Sequence, residues 1–165
     1  GMVLITIFLN VAYFLRVLPP LPLVLTDAGI YHQVKRVGAD FQAAEEEEPP
    51  EWQALFGTHA IMHIQKGARL YLYSAVFAPH GLNTRIVHDW QWLQPGRGWV
   101  TQQRISVPIQ GGREDGFRYF TFKTAPRPGQ WQVNIQTFDG RAVGRVRFAV
   151  EEQAVPPATT VKLLK

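Results

Sequence analysis

The 165-residue chain has no cysteine. That excludes a disulfide framework, a thiolate metal site and a thiol nucleophile, and it is compatible with an oxidising compartment. Serine is nearly absent too. Ser74 and Ser106 are the only two, and neither sits in a GxSxG elbow, so nucleophilic catalysis has little to work with. No GxxxxGK[ST] loop is present, and no glycine-rich strand-to-helix unit or long amphipathic helix interrupts residues 60–150. The pattern argues against an α/β fold. Long apolar runs are missing as well. MVLITIFLNVAYFL, residues 2–15, is shorter than the roughly 20 residues of a spanning helix. It also lacks the leading positive charge of a signal peptide.

What remains is a globular composition, 46% hydrophobic and 18% charged, at about the length of one domain. The net charge of +4 is unevenly spread. Residues 84–150 carry ten Lys/Arg against four Asp/Glu, whereas residues 1–83 carry five against seven. A basic C-terminal part attracts anionic partners, although solubility alone also accounts for it.

Along the chain, Gly1 before Met2 reads as a cloning remnant. Two readings stand for residues 2–15: the tail of a membrane helix, or an apolar helix or strand packing on the domain or on a second copy. VLPPLPLVL, 17–25, is a polyproline-like neck. IYHQVKRV, 30–37, is expected as a first strand, and the acidic run 45–52 as a solvated break. From residue 68 the pattern is β. TRIVHDWQWL, 84–93, places Ile86, His88, Trp90 and Trp92 on one face. WQVNIQTF, 131–138, does the same for Trp131, Val133, Ile135 and Thr137. DG at 139–140 is a hairpin signal, and RAVGRVRFAV, 141–150, returns with Val146, Phe148 and Val150. Pro108 in WVTQQRISVPI marks a sheet edge or strand end. The expectation is an all-β chain, an antiparallel sandwich of immunoglobulin-like layout over residues 26–152. An apolar N-terminal segment and neck over 1–25 precede it, and an irregular tail over 153–165 follows.

Candidate chemistry is sparse. Gly111, Gly112 and Gly116 make GGREDG a hairpin or bulged turn, and the adjacent Glu114 and Asp115 diverge in extended backbone. Arg113 is the residue that turn presents to an anion or to Asp89, and Arg118 serves the same end. His59 and His63 lack the glutamate of a metalloprotease helix and lie too far apart on a strand for one zinc. His32, His80 and His88 converge only if the fold brings them together. Most tryptophans read as core. An outward aromatic row beside Arg104, Arg118, Arg145 and Arg147 suits an anionic glycan or lipid headgroup.

The runs IVHDWQW, IQGGREDGFRYFTFK and GQWQVNIQTFDGRAVGRVRFAV, with Trp99 between the first two, resemble the bacterial family called domain of unknown function 2914. LPPLPLVLTDAGIYHQVKR and YLYSAVFAPHGL resemble its longer, membrane-attached form, so the resemblance spans residues 17–150. It implies a soluble domain after a membrane region, on the extracytoplasmic (periplasmic) side, and no established activity. The expected function is a non-catalytic binding module without cofactor, metal or nucleic acid. Its ligand is an anionic glycan, a lipid headgroup or a protein partner, met by Arg113, Trp90, His88 and Arg118. Two alternatives stand beside it. One is a hydrolase or metal-dependent enzyme built from His88, Asp89, Glu114 and Asp115. The other is a structural domain that braces or dimerises its own membrane region, with residues 2–25 as the contact.

Overall fold

The computed structural model describes residues 1–7, 23–47, 60–79, 83–110 and 116–164. Residues 2–7 are helical, and eleven strands follow. They are β1 (Val24–Tyr31), β2 (Gln33–Val37), β3 (Asp40–Glu46), β4 (Ala60–Ile64), β5 (Arg69–Phe77), β6 (Asn83–Gln94), β7 (Gly98–Gln110), β8 (Phe117–Thr124), β9 (Gly129–Thr137), β10 (Ala142–Glu152) and β11 (Thr159–Leu164). Three sheets result, in the orders β1-β5-β8, β4-β10-β9-β6-β7 and β11-β3-β2. All pairings are antiparallel except that of β4 with β10. From β5 onward the chain alternates between the first two sheets: β5 in one, β6 and β7 in the other, β8 back, then β9 and β10. This is the immunoglobulin-like Greek-key order, and Trp90 on β6 is its buried tryptophan.

The period-2 pattern of the sequence dictates the core. Ile86 and Trp90 on β6, Trp131, Val133 and Ile135 on β9, and Phe148 and Val150 on β10 are all buried. They pack against Leu70 and Leu72 of the facing sheet. The DG turn closes β9 onto β10 with Gly140 at φ 89°, where a residue without Cβ is favoured. Pro108 lies in β7, the edge strand of its sheet, where a missing N–H costs no ladder bond to a further strand. A bulge in β7 opposite Trp90 and Gln91 shifts the outward parity from Trp99 and Thr101 to Arg104 and Ser106.

The third sheet adds a layer to the sandwich. Tyr31, Val34, Phe41, Ala43, Tyr73, Ala75 and Leu164 form a second core on the other side of β5. β5 is therefore covered on both faces, with Leu70 and Leu72 toward one core and Tyr73 and Ala75 toward the other.

Several expectations are corrected. The run 30–37 is split: the chain bends at His32 and passes from β1 in one sheet to β2 in another. The acidic run is not wholly a break, because Glu45 and Glu46 end β3. The tail is not irregular; residues 159–164 are β11, paired along β3. GGREDG does not join neighbouring strands of one sheet, because among the described residues β7 pairs with β6 and β8 with β5. The connection crosses from one sheet to the other. Residues 111–115 lie outside the described residues. Gly116, at φ 71°, closes the crossing, and a Cβ there would meet the Val76 carbonyl oxygen at 2.9 Å.

If β11 is an integral strand, Leu164→Ala removes a side chain that is only 2% exposed from the second core. A loss of about 2–4 kcal/mol is expected, which lowers Tm by roughly 5–15 °C. Thermal unfolding of this variant checks it. A shift below about 2 °C would mean that the tail contributes no core.

Candidate functional site: the outer face of the five-stranded sheet

The residues singled out in the sequence do not assemble into one exposed surface. Trp90 and His88 have no exposed area, so neither is presented to a ligand at the surface. Alternation turns both side chains into the sandwich. His88 bridges to the opposite sheet, with Nε2 2.9 Å from Ser74 Oγ on β5 and Nδ1 2.8 Å from Thr121 Oγ1 on β8. The Trp90 indole N–H donates to the same Thr121 oxygen at 3.2 Å. Tyr119 stacks on the imidazole, ring centroids 5.1 Å apart. Burial in this slot lowers the His88 pKa from 6.5 to about 4, so the ring is neutral at physiological pH.

Arg118 is structural in its contacts. Its guanidinium donates to Asp40 Oδ1 at 3.4 Å and to the Ala39 carbonyl at 3.1 Å, and lies over Phe41. It clamps β8 to the β2–β3 turn. Arg113, Glu114, Asp115, His59 and His80 lie outside the described residues. The hydrolase constellation is not assembled on β6, because His88 and Asp89 are consecutive and point to opposite faces of the sheet.

Asp89 leads to a different site. It sits on the outer face of the five-stranded sheet yet is only 2% exposed. Arg104 Nε of β7 approaches its Oδ1 at 3.3 Å, and Gln91 Nε2 donates to its Oδ2 at 2.9 Å. The Gln91 carbonyl then accepts from Gln132 Nε2 at 2.7 Å and Asn134 Nδ2 at 3.0 Å on β9. Asn134 Oδ1 accepts from Arg145 Nε of β10 at 2.6 Å. A continuous polar row thus crosses four strands, about 14 Å at the usual strand spacing. Arg85 lies farther along β6 on the same face and donates from Nε to Ser106 at 3.0 Å. Arg147 stands opposite Gln132 on β10 and has no ion-pair partner among the described residues.

Four exposed arginines therefore share a face with one buried carboxylate. In Arg85, Arg104 and Arg145 the Nε group is tied to a neighbouring side chain of the sheet, which leaves the Nη donors uncommitted among the described residues. Glu151 lies at the far end of β10, 3.5 Å from His63. Trp99 and Leu93 are paired across β6 and β7, each 38% exposed, and form an apolar step at that same end of the sheet. The signal for this face was present in GQWQVNIQ. Every second residue there, Gln130, Gln132, Asn134 and Gln136, is an amide, the exact complement of the apolar half that marks the strand as core. A polar outer face is ordinary for an antiparallel sheet. An interlocked row of amides around a buried aspartate is not.

A second polar cluster ties β3 to β4 and to the bend between β1 and β2. Glu46 accepts from His32 Nε2 at 2.7 Å, His63 Nδ1 at 2.8 Å and the His63 backbone N–H at 2.6 Å. Burial raises the Glu46 pKa, but the bonds from His63 and His32 outweigh it and hold the carboxyl below its usual range. Among the described residues, no group of three or more His, Asp or Glu is placed to hold a metal ion. An open groove of about 460 Å³ beside His32, Arg69, Tyr71, Pro156 and Pro157 brings no catalytic pair together.

With this geometry established, comparison with known proteins adds a family likeness. The family model described as "Protein of unknown function (DUF2914)" matches residues 83–150, that is, β6 to most of β10 and less than half of the chain. The resemblance read from the sequence is thereby supported over that part. No curated protein matches. Among solved structures, an immunoglobulin-like protein from Pseudomonas aeruginosa aligns at 10% identity and a TM-score of 0.43, over 81% of this chain and 99% of that one.

The buried imidazole makes stability depend on pH. Above about pH 6.5, His88 is neutral in the folded and the unfolded chain alike. As the pH falls from 6.5 toward 4, the unfolded chain takes up a proton that the folded chain refuses, so stability falls. The loss is about 3 kcal/mol across that window. Glu46 acts in the same direction at lower pH, where protonation of its carboxylate removes its stabilisation. Urea unfolding at pH 7 and pH 4.5 checks this. The slope should flatten in His88→Gln, and a wild-type stability unchanged between the two pH values would contradict a buried neutral imidazole.

Proposed function

We propose that this chain is a non-catalytic, extracytoplasmic binding module of a bacterial membrane protein, and that it holds an anionic ligand on the outer face of its five-stranded sheet. The observation that carries the reading is the arginine set Arg85, Arg104, Arg145 and Arg147, three of them fixed through Nε, on a face whose one buried carboxylate, Asp89, meets only Arg104. Preoriented guanidinium groups bind carboxylates, sulfates and phosphates with paired donors and little loss of side-chain freedom. Nonspecific basicity is a weaker account, because it does not require Arg85, Arg104 and Arg145 to be anchored through Nε to neighbouring side chains of the sheet.

Membrane attachment rests on the apolar residues 2–15 and on the resemblance to the membrane-attached form. Helix 2–7 exposes Met2, Val3, Leu4, Ile5 and Ile7. No helix among the described residues is long and apolar enough to cross a membrane.

The test is binding of dextran sulfate by isothermal titration calorimetry in about 50 mM salt, followed by a salt series. Affinity should fall steeply with salt, as expected for screened charges. The double variant Arg145→Ala/Arg147→Ala should lower it at least tenfold and leave Tm within about 2 °C, since exposed side chains contribute little to stability. Equal affinity in wild type and double variant would remove the outer face as the binding surface.

A further inference from the structure

The arginines account for a negative charge but not for the amides between them, and the amides have a chemistry of their own. Gln132 is 3% exposed, and its Oε1 has no hydrogen-bond partner, while its Nε2 is committed to Gln91. Gln91 is saturated: its carbonyl accepts twice, and its amide N–H groups reach Asp89 and Thr101. The row therefore ends in a buried acceptor that lacks a donor. Leaving such a group unmatched costs about 1–3 kcal/mol. Phosphate diesters, sulfates and carboxylates are acceptors only at neutral pH and cannot supply that donor. A hydroxyl can.

A ligand that matches the whole face must carry acceptors for the guanidinium Nη groups and hydroxyl donors for the amide row. It also needs an apolar flank for the Trp99 step. From Arg85 to Leu93 the face runs about 26 Å along β6, a length suited to an extended polymer. Resting on the reading of this face as an anion-binding surface, we propose that its ligand is an acidic polysaccharide of the uronic-acid type. Its carboxylates engage Arg145, Arg147 and Arg104, a ring face stacks on Trp99, and a sugar hydroxyl donates to Gln132 Oε1 once the side chains that cover that atom are displaced. Polar side chains that fix orientation beside an aromatic platform are the usual makings of a small-molecule site, laid here on a flat sheet.

The experiment compares polygalacturonate, neutral dextran, polyphosphate and phosphatidylglycerol vesicles on the whole chain by calorimetry. Polygalacturonate should bind at least tenfold tighter than polyphosphate at equal charge, and dextran should give no heat. Gln132→Met and, separately, the exposed Trp99→Ala should weaken polygalacturonate at least fivefold and leave polyphosphate unchanged. Trp99→Ala keeps the test decisive if Gln132→Met is unstable. Polyphosphate or vesicles binding as tightly as polygalacturonate, in an Arg145- and Arg147-dependent way, would overturn the polysaccharide and spare the anion-binding surface. Both variants acting equally on all ligands, or on none, would also overturn it. Absence of any arginine-dependent binding would remove both readings.

Discussion

The sandwich contains no disulfide, and the hydrogen-bonded imidazole of His88 is the tie between its two main sheets. In immunoglobulin domains a cystine commonly spans the core. Here both ring nitrogens of His88 reach across from β6 to hydroxyls on β5 and β8, and Trp90 shares one of those hydroxyls. Each bond contributes only about 1 kcal/mol net, but each would cost more if broken inside the core. Such a tie acts on register more than on stability. A slip of β6 by one residue would put the Asp89 carboxylate where the neutral imidazole lies, and no cation waits there to meet it. The same register that turns His88 inward places Asp89 beside Arg104 and Gln91. Core and outer face are two consequences of one alignment.

The third sheet depends on that frame. β5 can be buried on both sides only because its alternate residues serve two cores, so its sequence reads as nearly continuous apolar and aromatic character. β11, β3 and β2 cover its far face, and two polar contacts lock them in place. One is Arg118 to Asp40 and Ala39; the other is Glu46 to His32 and His63. In both cases a charged group that a sequence reading assigns to ligands or solvent is held between layers.

Much of the fold was legible because period-2 patterns are local. The core faces of β6, β9 and β10, the DG hairpin and the edge position of Pro108 follow from residues within a few positions of one another. The misreadings are nonlocal. β11 presents one buried residue, Leu164, among five exposed ones, so its pairing with β3, more than a hundred residues away, leaves no periodic trace. GGREDG carries the residues of a turn, but turn chemistry does not say which sheet the next strand joins. Trp90 and His88 were placed on one face correctly and then assigned to a surface, because alternation gives the face without saying which side is covered. The candidate site was half visible in the same way. The apolar half of GQWQVNIQ identifies a core strand, while its amide half, Gln130, Gln132, Asn134 and Gln136, reads locally as the ordinary polar complement.

The amide half has no explanation in stability. An outer sheet face needs only solubility, and threonines or mixed charges supply that at no desolvation cost. This face instead buries a carboxylate and a glutamine, and the network as a whole would be replaced with little loss, or with gain, by apolar residues of similar size. The core below is complete without them: the buried residues of β6 and β9 point the other way and pack against Leu70 and Leu72. An interlocked polar row that the fold does not need, anchoring arginines that have almost no carboxylates to meet, is organised toward something outside the chain.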